Sequence, residues 1–174
     1  MPCAHIERGW RALRDAAGNE YPAQQDKGRY CAFVRGLAPM ASTPLWFVKG
    51  KASGERMAVD KNGFETPFYK GTFDAAMRIP SLFDKRAGRE LAREPLNRIV
   101  CYENKPHNYD AWDINIYYDQ RFWEVDDVRK VEILSEGPVL TRMRVVYAYM
   151  DSLIAQDIVL YRDLPRIDFE TEVE

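Results

Sequence analysis

The C-terminal third of the chain has the clearest alternation of apolar and polar residues. Residues 139–150 alternate along their whole length, which predicts a long β-strand. Asp151 and Ser152 supply a turn, and residues 153–161 read as a second strand, so the two strands should form a hairpin. After a turn at Pro165, residues 167–173 place apolar side chains on one face and acidic ones on the other. Such consecutive strands predict a half-buried antiparallel sheet.

Shorter strands are predicted where β-branched and aromatic residues are bounded by Gly, Pro, Asn or Asp. They cover residues 68–73, 79–83 and 129–135, and nearer the N-terminus residues 10–14, 29–34 and 45–49. No segment keeps the apolar spacing of an amphipathic helix, and the best helical candidate, residues 86–93, is short and contains Gly88. The pattern predicts an all-β chain whose strands form an antiparallel β-sandwich.

The chain divides into three parts by this pattern. Residues 1–50 form a small β-region, residues 51–63 are a linker rich in turn residues, and residues 64–174 form the main domain. The few strands of the first part cannot bury a core alone. We therefore expect the small β-region to pack on the larger sheet, or to be the remnant of a neighbouring domain.

The alternation of apolar and acidic residues over 167–173 continues to Glu174, the last residue of the sequence. An edge strand without its following turn leaves backbone groups unpaired. We expect the sequence to be a fragment of a longer protein, and a short natural edge strand is the alternative.

Charge and cysteine content exclude several classes of protein. Lys and Arg number 25 against 27 Asp and Glu, so the chain has no broad positive field that would attract nucleic acid. Cys3, Cys31 and Cys101 are odd in number and far apart, which favours a reducing compartment over a disulfide framework. No apolar run is long enough for a membrane span, and the N-terminus lacks the pattern of a signal peptide. We expect a cytoplasmic protein with neither nucleic acid nor membrane as partner.

The densest group of functional side-chain types lies at residues 102–118. Within it Tyr109, Asp110, Trp112 and Asp113 are the candidate substrate-binding residues, because a sugar ring packs on an aromatic face while its hydroxyls bind carboxylates and amides. A structural interpretation is also open, in which the aromatic residues fill core and the aspartates hold a loop. Asp110 and Asp113 could alternatively be a glycosidase acid–base pair, although spacing alone shows neither a cleft nor separated pKa values.

Other candidate chemistry is sparse. His5 and His107 are the only histidines, and a loop histidine held by hydrogen bonds is favoured over a metal ligand. Arg142 and Arg144 share one strand face, where they could clamp an anion, but a solvated face paired with neighbouring carboxylates is favoured. No common nucleotide-binding, serine-hydrolase or zinc-protease motif is present.

Residues 105–114, Lys-Pro-His-Asn-Tyr-Asp-Ala-Trp-Asp-Ile, closely resemble a segment in the C-terminal β-domain of family 38 glycoside hydrolases, the α-mannosidases, especially their bacterial and cytosolic branch. Residues 65–69, 79–90 and 166–173 resemble further strands of that domain in the same order, so the resemblance covers about residues 64–174. Residues 10–48, including 13–20 and 36–40, are more loosely similar to the small β-region that precedes it.

This resemblance implies a truncated galactose-mutarotase-like supersandwich in a zinc-dependent, retaining, exo-acting mannosidase. The nucleophilic aspartate and the zinc ligands of that family belong to an N-terminal α/β domain, which this sequence lacks. The resemblance therefore implies no catalytic residue, no metal site and no cofactor in this chain, with zinc expected in the absent catalytic domain. It also implies that the loop of residues 109–113 lies near the domain interface.

We expect a non-catalytic β-sandwich fragment whose parent enzyme hydrolyses terminal α-mannosides in mannose and glycan catabolism. Its partners would be the missing N-terminal catalytic domain and, within the parent enzyme, a carbohydrate. One alternative is a free-standing carbohydrate-binding or mutarotase-like module. Another is a structural domain that forms a homo-oligomer through its edge strand.

Overall fold

The fold consists almost entirely of antiparallel β-strands. The computed structural model describes residues 9–50, 54–109 and 112–174. Within these ranges the chain has one short 3-10 helix and no α-helix, and none of its helices is long and apolar enough to cross a membrane. The all-β prediction is therefore confirmed. Residues 86–93, the best helical candidate in the sequence, contain a short strand instead of a helix.

Fifteen strands are present in the described residues. In chain order they are β1 (Trp10–Asp15), β2 (Glu20–Asp26), β3 (Arg29–Ala32), β4 (Leu45–Lys49), β5 (Ala58–Asp60), β6 (Gly63–Glu65), β7 (Tyr69–Thr72), β8 (Ser81–Asp84), β9 (Arg89–Glu90), β10 (Val100–Tyr102), β11 (Phe122–Glu124), β12 (Asp127–Glu136), β13 (Leu140–Tyr149), β14 (Ser152–Tyr161) and β15 (Ile167–Val173). The 3-10 helix, Tyr118–Gln120, lies between β10 and β11.

Two sheets enclose the main core. One has the order β5-β6-β7-β8-β9 and the other β12-β13-β14-β15. The predicted hairpin of β13 and β14 is confirmed, with unbroken pairing from Leu140 opposite Tyr161 to Tyr149 opposite Ser152. Side chains from both sheets meet in one apolar cluster, which includes Phe64, Ile79, Met143, Val145, Tyr147, Ile154, Ile158 and Leu160. The predicted antiparallel β-sandwich is therefore present.

The first fifty residues contribute a separate small sheet in the order β3-β2-β1-β4. Strand β2 changes partner along its length: Pro22 lies opposite Ala12 of β1, whereas Ala23 lies opposite Ala32 of β3. Proline has no backbone N–H and cannot donate to a ladder, which fits the change of partner at this point. The small sheet contacts the outer face of the β12–β15 sheet, as one of the two sequence-based alternatives predicts.

Gln24 joins the two parts through a buried set of hydrogen bonds. Its Oε1 accepts from the backbone N–H groups of Val139 and Leu140, both at 3.0 Å. Its Nε2 donates to the Leu140 carbonyl at 2.9 Å and to Ser135 Oγ at 2.8 Å. The amide thus satisfies the buried backbone N–H groups of Val139 and Leu140 at the start of β13.

Arg142 corrects one sequence-based expectation. Its side chain is only 5% exposed, because the β2–β3 hairpin covers this face of the sheet that was expected to be solvated. The guanidinium lies 2.9 Å from Asp26, 3.2 Å from Asp157 and 2.7 Å from Glu170. The sequence predicted pairing with carboxylates, but the guanidinium and two of its three partners, Asp26 and Asp157, are largely buried.

Asp157 is the anionic centre of this network. Arg144 Nε lies 2.6 Å and Lys27 Nζ 2.7 Å from its carboxylate, which is 2% exposed. Burial raises the pKa of Asp157, but the hydrogen bonds from Arg144 and Lys27 outweigh it and bring the pKa down to about 2. The carboxylate therefore stays ionised at neutral pH despite its burial.

The region expected to be a linker is only partly described, since residues 51–53 lie outside the described ranges. Strand β5 pairs with β6, so residues 58–60 belong to the five-stranded sheet. The division at residues 51–63 stays a prediction.

Candidate functional site

A two-stranded hairpin presents the candidate residues. Strand β10 pairs with β11, with Tyr102 opposite Phe122, and the Glu103 N–H donates to the Arg121 carbonyl at 2.9 Å to continue the ladder. The described residues between these strands belong to a long loop that ends in the 3-10 helix. A paired base of this kind fixes where the loop leaves the sandwich.

Two asparagines hold the described part of the loop in shape. Asn104 Nδ2 donates to the Asp113 carbonyl at 2.9 Å, and the Asn115 N–H donates to Asn104 Oδ1 at 3.2 Å. Asn115 Oδ1 also accepts from the Tyr117 N–H at 3.1 Å. Amide side chains here replace the backbone pairing that an irregular loop lacks.

His107 is a loop histidine held by a hydrogen bond, as the sequence predicts. Its Nε2 lies 3.3 Å from Asn115 Nδ2, within hydrogen-bond distance. His5 lies outside the described residues. In the described ranges, no group of three or more His, Cys, Asp or Glu residues could hold a metal ion. The residues described here therefore do not fit a zinc site.

The structure places three of the four predicted site residues together. Tyr109 and Trp112 are 65% and 88% exposed, and with Asp113 they line an open cleft of about 380 Å³. The Tyr109 carbonyl accepts from the N–H groups of Trp112 at 3.1 Å and Asp113 at 2.9 Å. Asp110 lies outside the described residues, so its place in this surface stays a prediction. The interpretation that Tyr109 and Trp112 fill core is wrong.

A second, smaller cleft lies at the base of the loop and was not predicted as a site. It has a volume of about 150 Å³, and its lining includes Glu103, Lys105, Asn115, Tyr117, Gln120 and Arg121. The Glu103 carboxylate lies 3.1 Å from Lys105 Nζ and 3.3 Å from Arg121. The hydrogen bond from Lys105, followed by the charge of Arg121, lowers the pKa of Glu103 below its usual value.

Aromatic side chains make up much of the surface around these clefts. The Tyr102 ring packs edge-on against Tyr118 with centroids 5.3 Å apart, and lies 6.0 Å from Phe122. Arg121 lies 5.7 Å from the centre of the Trp123 ring. Exposed aromatic faces beside amides and a carboxylate suit a ligand with one apolar face and several hydroxyls.

The second cleft depends on the pairing of β10 with β11, which the sequence pattern does not indicate. Glu103 and Arg121 meet because β10 and β11 pair, yet each of these strands has only three residues. So short a strand gives no alternation that periodicity could detect. The opposite charges at the two ends of the aromatic segment were the only available signal.

Comparison with known proteins agrees with this architecture. The fold is similar to the crystal structure of an α-mannosidase from Enterococcus faecalis, with a TM-score of 0.57 and 13% sequence identity, over 96% of this chain. The chain spans 25% of the length of that structure, and at this identity the likeness concerns the fold alone. No curated protein matches the chain.

The sequence itself carries the family signal. A family model described as the glycosyl hydrolases family 38 C-terminal domain matches residues 64–174. This range includes the loop between β10 and β11 and both sheets of the sandwich, apart from β5 and Gly63, the first residue of β6. The match covers well over half of the chain, so the chain belongs to the family of glycosyl hydrolases family 38 C-terminal domains.

Proposed function

We propose that this chain serves as the β-rich, non-catalytic part of an α-mannosidase that removes terminal α-mannose residues from glycans. The observation that carries the proposal is the match of the family 38 C-terminal domain to residues 64–174. The similar fold of the Enterococcus faecalis α-mannosidase supports it, since nearly all of this chain aligns with a quarter of that protein. Hydrolysis is assigned to a catalytic domain outside this chain.

In this proposal the aromatic loop forms part of the sugar-binding wall. Tyr109 and Trp112 offer apolar faces to the C–H side of a pyranose, and Asp110 and Asp113 accept hydrogen bonds from its hydroxyls. The 88% exposure of Trp112 supports this role, because large exposed aromatic side chains are typical of binding surfaces. No step of the proposed function uses a metal bound to this chain.

The cytoplasm is the proposed location. Cys31 and Cys101 are both free thiols in the structure. Free cysteines that are partly buried are typical of proteins kept in a reducing compartment.

The test compares the chain alone with the chain supplied with its catalytic partner. The purified chain is assayed for release of nitrophenol from nitrophenyl α-mannoside, with and without added zinc, and no release is expected. The same chain co-expressed with the coding sequence that lies upstream in the source genome should give zinc-dependent release. Release that scales with the amount of the purified chain alone would overturn the proposal.

A second candidate is a carbohydrate-binding module that needs no partner. The open cleft beside Tyr109, Trp112 and Asp113 favours it, because such a platform needs no further domain to meet a sugar. The test titrates methyl α-mannoside against the chain and follows the heat of binding by isothermal titration calorimetry. Saturable binding that is lost in Trp112→Ala and kept in Trp46→Ala, another exposed tryptophan at 53%, would support the module. An unchanged signal across the titration would reject it.

A further inference from the structure

The small cleft at the base of the loop between β10 and β11 has no part in the function proposed so far. We call it the base cleft. It has a volume of about 150 Å³, and its lining includes Glu103, Lys105, Tyr117, Tyr118, Gln120 and Arg121. The Glu103 N–H donates to the Arg121 carbonyl at 2.9 Å, which continues the ladder of β10 and β11. Backbone pairing therefore fixes two sides of the base cleft.

Several polar groups of the base cleft have no partner among the described residues. They are the Gln120 amide and the hydroxyls of Tyr117 and Tyr118. Arg121 is 63% exposed and donates to Glu103 through Nη1 alone, so its other N–H groups are open to a ligand. The base cleft thus offers both donors and acceptors.

The charges of the base cleft favour a ligand without charge. The Glu103 carboxylate lies between two cations, 3.1 Å from Lys105 Nζ and 3.3 Å from Arg121. The hydrogen bond from Lys105 and the charge of Arg121 lower the pKa of Glu103, so it is ionised at neutral pH and can accept from hydroxyls. A carboxylate repels an anion, and the two guarding cations repel a cation.

The size of the base cleft suits one sugar ring. Clefts for drug-sized ligands begin at about 300 Å³, twice the volume available here. The cleft has room for about five water molecules, at about 30 Å³ each. One wall is the Tyr118 ring, which packs edge-on against Tyr102 with centroids 5.3 Å apart. An aromatic wall beside hydrogen-bonding groups fits a ring that has an apolar face and several hydroxyls.

The base cleft lies beside the cleft of Tyr109, Trp112 and Asp113. Asn104 joins the two, because its Nδ2 donates to the Asp113 carbonyl at 2.9 Å and its Oδ1 accepts from the Asn115 N–H at 3.2 Å. Asp113 lines the first cleft and Asn115 lines the base cleft. Two residues of chain span at most about 7 Å, so a ligand of two joined rings can reach both clefts.

We propose that the base cleft is a second saccharide subsite, which holds an uncharged sugar residue joined to the one that lies on Tyr109 and Trp112. This subsite rests on the sugar-binding role proposed above for the loop. Glu103 would accept hydrogen bonds from neighbouring hydroxyls of the second ring, and Gln120 and Arg121 would donate to its oxygens. The loop would then recognise an oligosaccharide and not a single mannose residue.

The test compares sugars of one and two residues. Methyl α-mannoside and methyl α-mannobiosides that differ in linkage are titrated against the full chain, and the heat of binding is recorded by isothermal titration calorimetry. At least one disaccharide should bind about tenfold more tightly than the monosaccharide, because it makes additional hydrogen bonds to a charged group. Equal affinity of the monosaccharide and every disaccharide would overturn the subsite and leave the Trp112 platform as the only sugar site.

Matched variants locate the additional affinity in the base cleft. Glu103→Gln should remove most of the tenfold gain for the disaccharide and leave the affinity for methyl α-mannoside unchanged. Its control is Glu136→Gln, which changes a carboxylate that pairs with an arginine on a different surface. Gln120→Ala should also reduce the gain, whereas Gln25→Ala, at another exposed glutamine, should not. Equal effects within both pairs would overturn the proposal.

Two further outcomes would also overturn it. Inorganic phosphate that abolishes the disaccharide gain, with sodium chloride of the same ionic strength as the control, would assign the base cleft to an anion. Absence of binding for all the sugars would remove the subsite as well. That last result would leave the proposed function standing, because zinc-dependent hydrolysis by the chain together with its catalytic partner tests that function separately.

Discussion

Replacing Asp157 by asparagine tests whether charge at the centre of the buried network stabilises the fold. The change keeps the size and shape of the side chain but removes its negative charge. Three cations lie within ion-pair distance of this carboxylate, from Lys27, Arg142 and Arg144. The amide of asparagine cannot neutralise them, so we expect the Asp157→Asn chain to unfold more easily.

The structure sets the magnitude in two ways. A carboxyl whose pKa falls from 3.8 to about 2 on folding stabilises the folded state by about 2 kcal/mol at neutral pH. Removing one partner of a buried ion pair costs about 3–5 kcal/mol in other proteins. Arg142 would keep its ion pairs with Asp26 and Glu170, at 2.9 and 2.7 Å, which reduces the expected loss of stability. We expect a decrease of about 2–3 kcal/mol in the free energy of unfolding.

Urea denaturation followed by tryptophan fluorescence measures this free energy. Glu136→Gln is the matched control, since Glu136 pairs with Arg56 at 2.9 Å but the two side chains are 38% and 68% exposed. Exposed pairs contribute about 0–1 kcal/mol, so this control should change little. If the two variants lost equal stability, the assignment of a stabilising role to the buried charge would be wrong.

The pH dependence of the difference provides a second criterion. Because the folded pKa of Asp157 is lower than the unfolded one, its stabilisation is present above about pH 4 and is lost as the pH falls toward 2. The stability gap between the wild type and Asp157→Asn should therefore fall to about half its neutral value by about pH 3. A gap that stays constant from neutral pH to pH 3 would show that packing, and not charge, explains the loss.

Three further substitutions test other parts of the fold by the same denaturation assay. Gln24→Leu should lower the free energy of unfolding by about 3 kcal/mol, because it removes the acceptor of the buried N–H groups of residues 139 and 140. Gln25→Leu, at an exposed neighbour, is the control, and an equal loss of stability in the two variants would refute this. Gly71→Ala should cost about 1–3 kcal/mol, since its Cβ would lie 2.4 Å from the Phe64 ring; unchanged stability would mean that the ring moves freely. Tyr147→Phe should raise stability by up to about 1 kcal/mol, because the buried hydroxyl has no partner among the described residues; Tyr30→Phe is the partly exposed control, and a loss of stability in Tyr147→Phe would contradict this account.

The long strands were predictable from sequence because they are amphipathic and paired with their neighbours. Residues 167–173 were predicted as a strand and form β15 with the same bounds. Strand β2 gave no such signal. The residue that β2 buries against the sandwich is Gln24, a polar side chain whose partners begin 111 positions further along the chain. Hydropathy assigns a glutamine to the surface, and only the tertiary contact shows why it is buried.

The site was predictable only where its residues are close in sequence. Tyr109, Trp112 and Asp113 were selected together and lie together around one cleft. Glu103 and Arg121 were not selected, since their contact needs the register of two strands that are too short to detect. Sequence spacing thus identifies a loop platform, whereas a cleft between the two ends of the loop requires the fold.

The burial of Arg142 was also not predicted from its sequence pattern, and its cause explains how the two sheets are held together. Alternation placed Arg142 on an outward face, which is correct for the β12–β15 sheet alone, but the small β-region covers that face. One guanidinium therefore contacts Asp26 of β2, Asp157 of β14 and Glu170 of β15. Such buried polar contacts require one relative orientation, whereas apolar surfaces tolerate several. The orientation of the N-terminal sheet is thus tied to β15. This network therefore holds the N-terminal sheet and the β12–β15 sheet in one fixed geometry.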